Sequence, residues 1–165
     1  MGQGRKNEAG AMKLHLAPPC LIKYTDALPE NTGGSAKTCY VKIRPRYQDD
    51  KGIHGHEIQG HVAEWWAVSI VSSLVLAALA WLAVRYLGLS CGVFILALIG
   101  PAIQPLLYRS CPPYRLWSEL RAYRIQLRHP PATSDPERYR KLYAGYIANE
   151  YGLTVSAGEA ERRLK

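Results

Sequence analysis

The chain has 165 residues, of which 48% are hydrophobic and 21% charged, and its 21 Lys and Arg against 13 Asp and Glu give a formal net charge of +8. A chain of this length can bury one hydrophobic core, and the apolar content excludes a disordered chain. No fixed sequence period recurs, which excludes collagen-like and repeat proteins.

Two short segments in the N-terminal third have the pattern of β-strands. Residues 20–24 are mostly apolar, and in residues 38–44 apolar side chains alternate with polar or aromatic ones, which is the period of a half-buried strand. The segment 29–36 between them contains Pro, Asn and two Gly, and it predicts a loop or a wide hairpin connection.

A helix is expected to follow the Asp49-Asp50 pair, because an aspartate at the N-cap accepts hydrogen bonds from free backbone N–H groups. The pattern then runs into an uncharged apolar segment, residues 65–84, and a second uncharged segment covers residues 86–108. Each is long enough to cross a hydrocarbon layer of about 30 Å as a helix. The second should kink or break near Gly100-Pro101.

The two apolar segments predict a transmembrane helical hairpin with a tight turn around residues 85–90. A pair of buried core helices in a soluble protein is the alternative, but the rest of the chain is short for covering two such helices. Basic residues lie before and after the hairpin, whereas the turn contains only Arg85. Because positive charge collects on the cytoplasmic side, both termini are predicted to be cytoplasmic. The basic flanks then favour contact with anionic membrane lipid.

Two other uses of the charged residues and cysteines are not expected. The basic residues are dispersed and form no recognised nucleic-acid-binding motif, so we expect no nucleic-acid partner. The four cysteines lie far apart and form neither a C-x-x-C pair nor a zinc-ribbon spacing. On a cytoplasmic face they would remain reduced.

After the hairpin the pattern predicts two further helices, over residues 114–128 and 136–150, with Ser134 or Asp135 capping the second. The last residues are expected to form a short docking segment or a frayed end. The predicted fold is therefore mainly α with a small N-terminal β element. Its predicted parts are an N-terminal extension (1–19), strands and a motif helix (20–64), the hydrophobic hairpin (65–108) and a C-terminal helical part (109–165).

Three of the five histidines lie within eight residues, directly before the first apolar segment. They are His54, His56 and His61, and the carboxylates Glu57 and Glu64 lie among and beside them. Imidazole and carboxylate groups in such density are typical of a Zn²⁺ site. His56-Glu57 begins like the H-E-x-x-H helix of zinc metallopeptidases, but the second histidine here is at i+5 instead of i+4.

The extra residue between His56 and His61 changes the expected helix geometry. On a regular α-helix, positions i and i+5 point about 140° apart, so the two imidazoles converge only if the helix absorbs one residue. A π-bulge does this, and Gly60 is the expected place for it. His54 remains an alternative to His56 if the helix begins late, although on a regular helix it would lie about 10 Å from His61.

The string from His56 to His61, H-E-I-Q-G-H, resembles the H-E-x-x-G-H motif of dipeptidyl-peptidase III, a gluzincin-type zinc metallopeptidase. The resemblance implies that both histidines bind Zn²⁺ and that Glu57 acts as the general base. Gluzincins take a third ligand, a Glu, from a later helix, and Glu119 in the string Glu119-x-Arg-Ala is similar to that family's second motif. The small size looks more like membrane-bound or phage-encoded minigluzincins. The match covers only these two motifs.

The resemblance implies hydrolysis of a peptide or protein substrate near the membrane surface. A Zn²⁺ ion would polarise the substrate carbonyl, and Glu57 would transfer a proton from water to the leaving amine. Tyr123, Tyr114 and His54 are candidates for stabilising the oxyanion, and Tyr123 joins Glu57 in the predicted catalytic pair. Residues 38–44 are a candidate strand for binding an extended peptide by edge pairing.

Each of these assignments has a structural alternative. The histidine cluster would otherwise be a solvated segment at the membrane interface, and Glu119 would form an ordinary i,i+4 ion pair with Arg115. Glu64 would either mark the membrane boundary or orient a ligand histidine. The alternative function is a non-enzymatic small integral membrane protein that binds anionic lipid or a protein partner. A metal-binding protein without catalysis is a further alternative.

Overall fold

The computed structural model describes residues 10–130 and 135–165, which form a four-stranded sheet followed by a series of helices. The strands are β1 (Met12–Leu16), β2 (Pro19–Tyr24), β3 (Gly34–Lys37) and β4 (Tyr40–Ile43). The helices are α1 (Lys51–Leu87), α2 (Cys91–Ser110), α3 (Pro112–Gln126), α4 (Pro136–Glu150) and α5 (Ala157–Arg163). The predicted fold class, mainly α with a small N-terminal β element, is confirmed.

The sheet has the strand order β1-β2-β4-β3. β2 runs parallel to β4, while β1 pairs antiparallel with β2 and β3 antiparallel with β4. β2 and β4 correspond to the two predicted strands. β4 lies inside the sheet with a partner on each side, so the prediction that residues 38–44 offer a free edge is wrong. Among the described residues, the free edge on this side belongs to β3.

Two strands lie where the sequence pattern predicts none. β3 falls partly within the segment 29–36, which was expected to be a loop, and β1 falls within the extension 1–19. The sequence of β3, GSAK, lacks the β-branched and aromatic residues that mark strands, and its backbone pairing with β4 holds it in place. Residues 1–9 lie outside the described part of the chain.

α1 is one continuous helix that changes its winding twice. It begins at Asp50, whose side chain accepts a hydrogen bond from the backbone N–H of Ile53, as predicted for this cap. It is α-helical over Lys51–His54, π-helical over Gly55–Val62, and α-helical again over Ala63–Leu87. It ends at Gly88, which adopts the left-handed conformation with φ +68°.

The first core forms between the π-helical part of α1 and one face of the sheet. Ile58 and Val62 of α1 pack against buried residues of β2 and β4. The most deeply buried strand residues in this core are Ile22, Val41 and Ile43. The alternation predicted for β4 is therefore observed. Because Ile58 and Val62 face the sheet, the opposite side of α1 faces away from it.

α2 returns along α1 and changes its winding at the position where a break was predicted. It is a 3₁₀-helix over Cys91–Ile99 and an α-helix from Gly100 onwards. A Cβ at Gly100 would overlap the Ser73 hydroxyl and come within 2.8 Å of the Ser69 carbonyl oxygen, so the two helices are in close backbone contact there.

α1 and α2 are both long and apolar enough to cross a membrane. Many of their large apolar side chains are exposed, among them Leu74, Leu79, Trp81 and Leu98.

The second core lies among α3, α4 and α5. Its buried members include Tyr123 of α3, Tyr143 and Ile147 of α4, and Leu164 after α5. α3 and α4 match the two helices predicted after the hairpin, and Asp135 caps α4 by accepting from the Glu137 N–H. The other predicted cap, Ser134, lies outside the described residues. α5 forms in the segment that was expected to dock or fray.

Candidate metal centre

The π-helical winding of α1 brings His56 and His61 onto one face. Its hydrogen bonds join residues five apart, as from the Ala63 N–H to the Ile58 carbonyl. In this winding, two side chains five residues apart therefore lie on the same face of the helix, one above the other. The Nε2 atoms of the two histidines are 3.3 Å apart, and the ring centroids are 5.0 Å apart. The predicted π-bulge at this motif is observed, and it extends over the eight residues Gly55–Val62.

Glu119 of α3 completes a three-residue cluster with the two histidines. Its carboxylate oxygens lie 3.6 Å from His61 Nε2 and 3.8 Å from His56 Nε2. The three ligand atoms all lie within 4.8 Å of one another. A tetrahedral Zn²⁺ site with bonds of about 2.0–2.1 Å places its ligand atoms about 3.3 Å apart. The three side chains thus fit a small divalent cation after only slight movement.

The environment of the cluster also fits a bound cation. Glu119 is 1% exposed, and its Oε2 is buried without a hydrogen-bond partner, while Oε1 accepts from the Tyr108 hydroxyl. A buried carboxylate oxygen in this state is costly unless a positive charge or a donor meets it. Burial, together with the neighbouring His61, holds the pKa of His56 well below its usual value, although a hydrogen bond with Gln126 opposes this. His56 is therefore a neutral imidazole, as a metal ligand must be.

Ser118 and Glu64 fix the orientation of His61. The Ser118 hydroxyl donates to Glu64 Oε2 at 2.9 Å and lies 3.4 Å from His61 Nδ1. Because its one hydrogen is used towards Glu64, the hydroxyl oxygen is left to accept from Nδ1–H of His61. This tautomer leaves the lone pair of Nε2 free to bind an ion.

Glu64 is the centre of a buried polar network between three helices. Its Oε1 accepts from the Tyr114 hydroxyl at 2.5 Å and from the Gln104 amide at 3.3 Å. Arg121 lies 3.6 Å from Oε2 and also donates to the backbone carbonyls of Gln59 and Gly60 at 3.1 and 2.6 Å. Arg121 thereby ties the π-helical part of α1 to α3.

Glu57 lies beside the cluster and is also buried. Burial, reinforced by the negative charge of Glu119, raises the pKa of Glu57 to about 8, and a hydrogen bond with the Ala36 backbone opposes this shift. A Cβ at Gly34 would come within 2.8 Å of the Glu57 side chain, so β3 lies directly against this carboxylate. The free edge of the sheet and the proposed base are therefore neighbours.

A cavity of about 900 Å³ opens over these residues. Its walls include β3, the cluster His56, His61 and Glu119, and Glu57 between them. Tyrosines line much of the remaining wall, namely Tyr47, Tyr108, Tyr123, Tyr139, Tyr143, Tyr146 and Tyr151. The volume is that of a site for a medium-sized ligand or several residues of a peptide.

The three candidates for oxyanion stabilisation lie in different places. The ring of Tyr123 is 4.4 Å from that of His56, and its hydroxyl shares a 3.0 Å hydrogen bond with the Tyr151 hydroxyl. Burial raises the pKa of Tyr123, so its hydroxyl stays protonated. The Tyr114 hydroxyl donates to the buried Glu64 carboxylate, and Tyr114 is not among the residues that line the cavity. His54 lies against the ring of Tyr24, with 6.3 Å between centroids, away from the cluster.

The alternative partner predicted for Glu119 is not observed. Arg115 donates instead to the backbone carbonyls of Tyr108, Arg109 and Tyr151. Sequence reasoning missed Tyr108 and Ser118. Ser118 directly precedes the predicted ligand, which is the one local signal for it. Tyr108 ends the second apolar segment, and nothing in that pattern indicates its contact with Glu119.

Comparison with protein-family models, with curated proteins and with solved structures finds no match to this chain. The resemblance to gluzincins therefore stays a prediction from two short motifs, now accompanied by the geometry of the side chains that carry them.

Proposed function

We propose that the chain is a membrane-associated zinc metallopeptidase that hydrolyses peptide bonds. His56, His61 and Glu119 are the proposed Zn²⁺ ligands. The observation that carries the proposal is the convergence of these three side chains, the buried His56 and Glu119 and the half-buried His61, from two helices at the wall of a cavity, beside the buried Glu57. The free edge of β3, which lies against the Glu57 carboxylate, gives an extended peptide a place to bind.

The proposed reaction uses the chain's own residues in distinct roles. A bound Zn²⁺ would supply Lewis acidity towards the substrate carbonyl and the attacking water. Glu57, in its ionised form, accepts the proton of that water and passes it to the leaving amine. The free edge of β3 holds the substrate extended next to Glu57 through backbone hydrogen bonds. Tyr123 donates its hydroxyl proton in a hydrogen bond to the developing oxyanion, exchanging it for the bond with Tyr151.

We also propose that α1 from Trp65 onwards and α2 cross a membrane as a hairpin, with both termini on the cytoplasmic side. Exposed apolar side chains along both helices support insertion, because a soluble chain of this size rarely leaves so much apolar surface in water. The basic residues on both flanks of the hairpin, and the single Arg85 near its turn, support the orientation.

Metal analysis of the purified protein in detergent tests the proposed site. We expect about one zinc per chain, and cleavage of fluorescently labelled casein. Glu57→Gln should retain the metal and lose cleavage, whereas His61→Ala and Glu119→Ala should lose both. His54→Ala is the matched control and should retain both, because this histidine lies away from the cluster. Unchanged metal content in His61→Ala would disprove the site. Stoichiometric zinc without cleavage would instead support a metal-binding protein that is not an enzyme.

A further inference from the structure

The β1–β2 hairpin carries exposed apolar side chains on the outer face of the sheet. Met12, Leu14 and Leu16 are 56%, 64% and 76% exposed. In the antiparallel register Leu14 lies opposite Leu21 and Leu16 opposite Pro19. The alternate positions of β2 are buried against α1, so these five residues face away from the core.

The hairpin lies alongside α1 with its turn towards the apolar part of that helix. At one end of β2, the carbonyl of Pro19 accepts a 2.9 Å hydrogen bond from Trp66 Nε1. At the other end, the ring of Tyr24 lies 6.3 Å from that of His54. The helical rise from His54 to Trp66 is at most about 18 Å, and the length of β2 between its two contacts is about 16 Å. β2 therefore runs antiparallel to this part of α1 over the whole length of the strand.

This arrangement places the β1–β2 turn, residues 16–19, level with the start of the apolar segment. Trp66 is the second residue of that segment, and the next large exposed apolar side chains of α1 are Ile70, Val71 and Leu74. The exposed Leu16 thus continues the apolar surface of α1 sideways. The lysines of the hairpin, Lys13 and Lys23, lie towards the end of the hairpin opposite the turn. If the turn contacts lipid, this is the level where headgroups of an anionic bilayer would meet them.

We propose that this turn inserts into the interfacial layer of the bilayer that α1 and α2 cross, so that the sheet rests on the membrane surface. This inference rests on the membrane crossing proposed above and adds a second contact with the lipid. It also fixes the tilt of the sheet, because the helix and the turn then contact the bilayer at two separate points. The partner is the lipid itself, recognised by apolar side chains at the turn and cationic ones behind it.

A fluorophore attached to single cysteines tests the contact. The background variant replaces Cys39, Cys91 and Cys111 with Ala and keeps Cys20, which is 3% exposed. Leu16→Cys, Ala27→Cys and Leu79→Cys are each labelled with an environment-sensitive NBD maleimide in nanodiscs of phosphatidylcholine and phosphatidylglycerol. Ala27 is the matched control, because it is exposed at the opposite end of the sheet. Leu79, in the apolar part of α1, is the reference for membrane crossing.

We expect the label at residue 16 to emit at shorter wavelength than the label at residue 27. It should also be quenched several-fold more strongly by lipid spin-labelled near the headgroup. The label at residue 79 should be quenched most by lipid spin-labelled deep in the acyl chain. If residue 79 is quenched and residue 16 is not, the turn does not contact lipid and the inference is wrong, while the crossing stands. If residue 79 is not quenched, the crossing fails and this inference fails with it.

Two further results keep the test decisive. A blue-shifted label at residue 16 that no spin-labelled lipid quenches would indicate a protein contact and would overturn the inference. If Leu16→Cys loses the resistance to trypsin shown by the background variant, Leu14→Cys replaces it, because Leu14 lies on the same exposed face. The same pair of outcomes then applies to residue 14, with weaker quenching expected further from the turn.

Discussion

Gly60 of α1 packs directly against Ala122 of α3. A Cβ at Gly60 would come within 2.7 Å of the Ala122 Cβ and 3.1 Å of its Cα. Gly60 directly precedes His61, and Ala122 lies about one helical turn after Glu119. The missing side chain therefore lets the two helices approach closely enough for the His61 imidazole and the Glu119 carboxylate to meet in the candidate metal centre.

Gly60→Ala should weaken zinc binding by about 10- to 100-fold. An added methyl group has no room, and overpacking a tight contact of this kind costs about 1–3 kcal/mol, much of which would separate the two ligand helices. The measurement is zinc affinity by competition with a chromophoric chelator.

Gly145→Ala is the matched control for this substitution. Gly145 also lies inside a helix, α4, but a Cβ there meets nothing within 4 Å. This control should leave zinc affinity unchanged and should stabilise the fold by about 0.5–1 kcal/mol, because alanine is the better helix former. Equal zinc affinity in both variants would contradict the role given to the close contact.

Local sequence signals were sufficient for much of this architecture. The i+5 spacing of His56 and His61 predicted the π-helical winding, because two ligands of one ion have to share a face. Asp50 predicted the start of α1, and Gly100-Pro101 predicted the change of winding in α2. In each case the cause lies within a few residues of the effect.

The features that the sequence did not predict depend on distant parts of the chain. β3 is a strand because β4 lies beside it, and nothing in GSAK indicates this. Ser118 links Glu64 to His61, and these two residues precede it in the chain by 54 and 57 positions respectively. Glu119 was named through a resemblance between motifs, whereas its contact with Tyr108 follows from how α2 leads into α3.

Ser118→Ala should weaken zinc binding by about 10-fold. The substitution removes the acceptor that holds the proton on His61 Nδ1, so the imidazole loses its fixed tautomer and orientation; such partners of metal ligands typically contribute 10- to 100-fold in affinity. Ser110→Ala is the control, because Ser110 is exposed and its hydroxyl donates to the Leu106 carbonyl within its own helix. Chelator competition again gives the affinities. If both variants bind zinc as tightly as the parent, the hydroxyl does not orient this histidine.

Gly100→Ala should lower the stability of the hairpin by about 1–3 kcal/mol, because its methyl group would overlap Ser73 at the contact between α1 and α2. Small residues are what allow apolar helices to approach closely in a membrane. Gly92→Ala is the control, since its Cβ would make only an ordinary 3.5 Å contact with the Ser90 hydroxyl. Thermal unfolding in detergent measures both, and we expect a clear drop in Tm for the first variant alone. A similar Tm for the two would show that the helices separate there without cost.

The native cysteines provide a test of topology that needs few substitutions. Cys91 is exposed at the turn of the hairpin, Cys39 is half-buried at the β3–β4 turn, and Cys20 is buried. With both termini in the cytoplasm, a membrane-impermeant maleimide should label Cys91 in intact cells and should reach Cys39 only after the membrane is permeabilised. Burial raises the pKa of the Cys20 thiol, so this residue should stay unlabelled until the fold is denatured.

Cys111→Ala in all samples restricts labelling to these three sites. Adding Cys91→Ala or Cys39→Ala then shows how much of the label each of these two cysteines carries. Labelling of Cys39 but not Cys91 in intact cells would reverse the orientation and place the candidate metal centre outside the cytoplasm. Labelling of both without permeabilisation would mean that α1 and α2 do not cross the membrane as a hairpin. In that case their exposed apolar side chains, Leu74 and Leu98 among them, would need a protein partner to cover them.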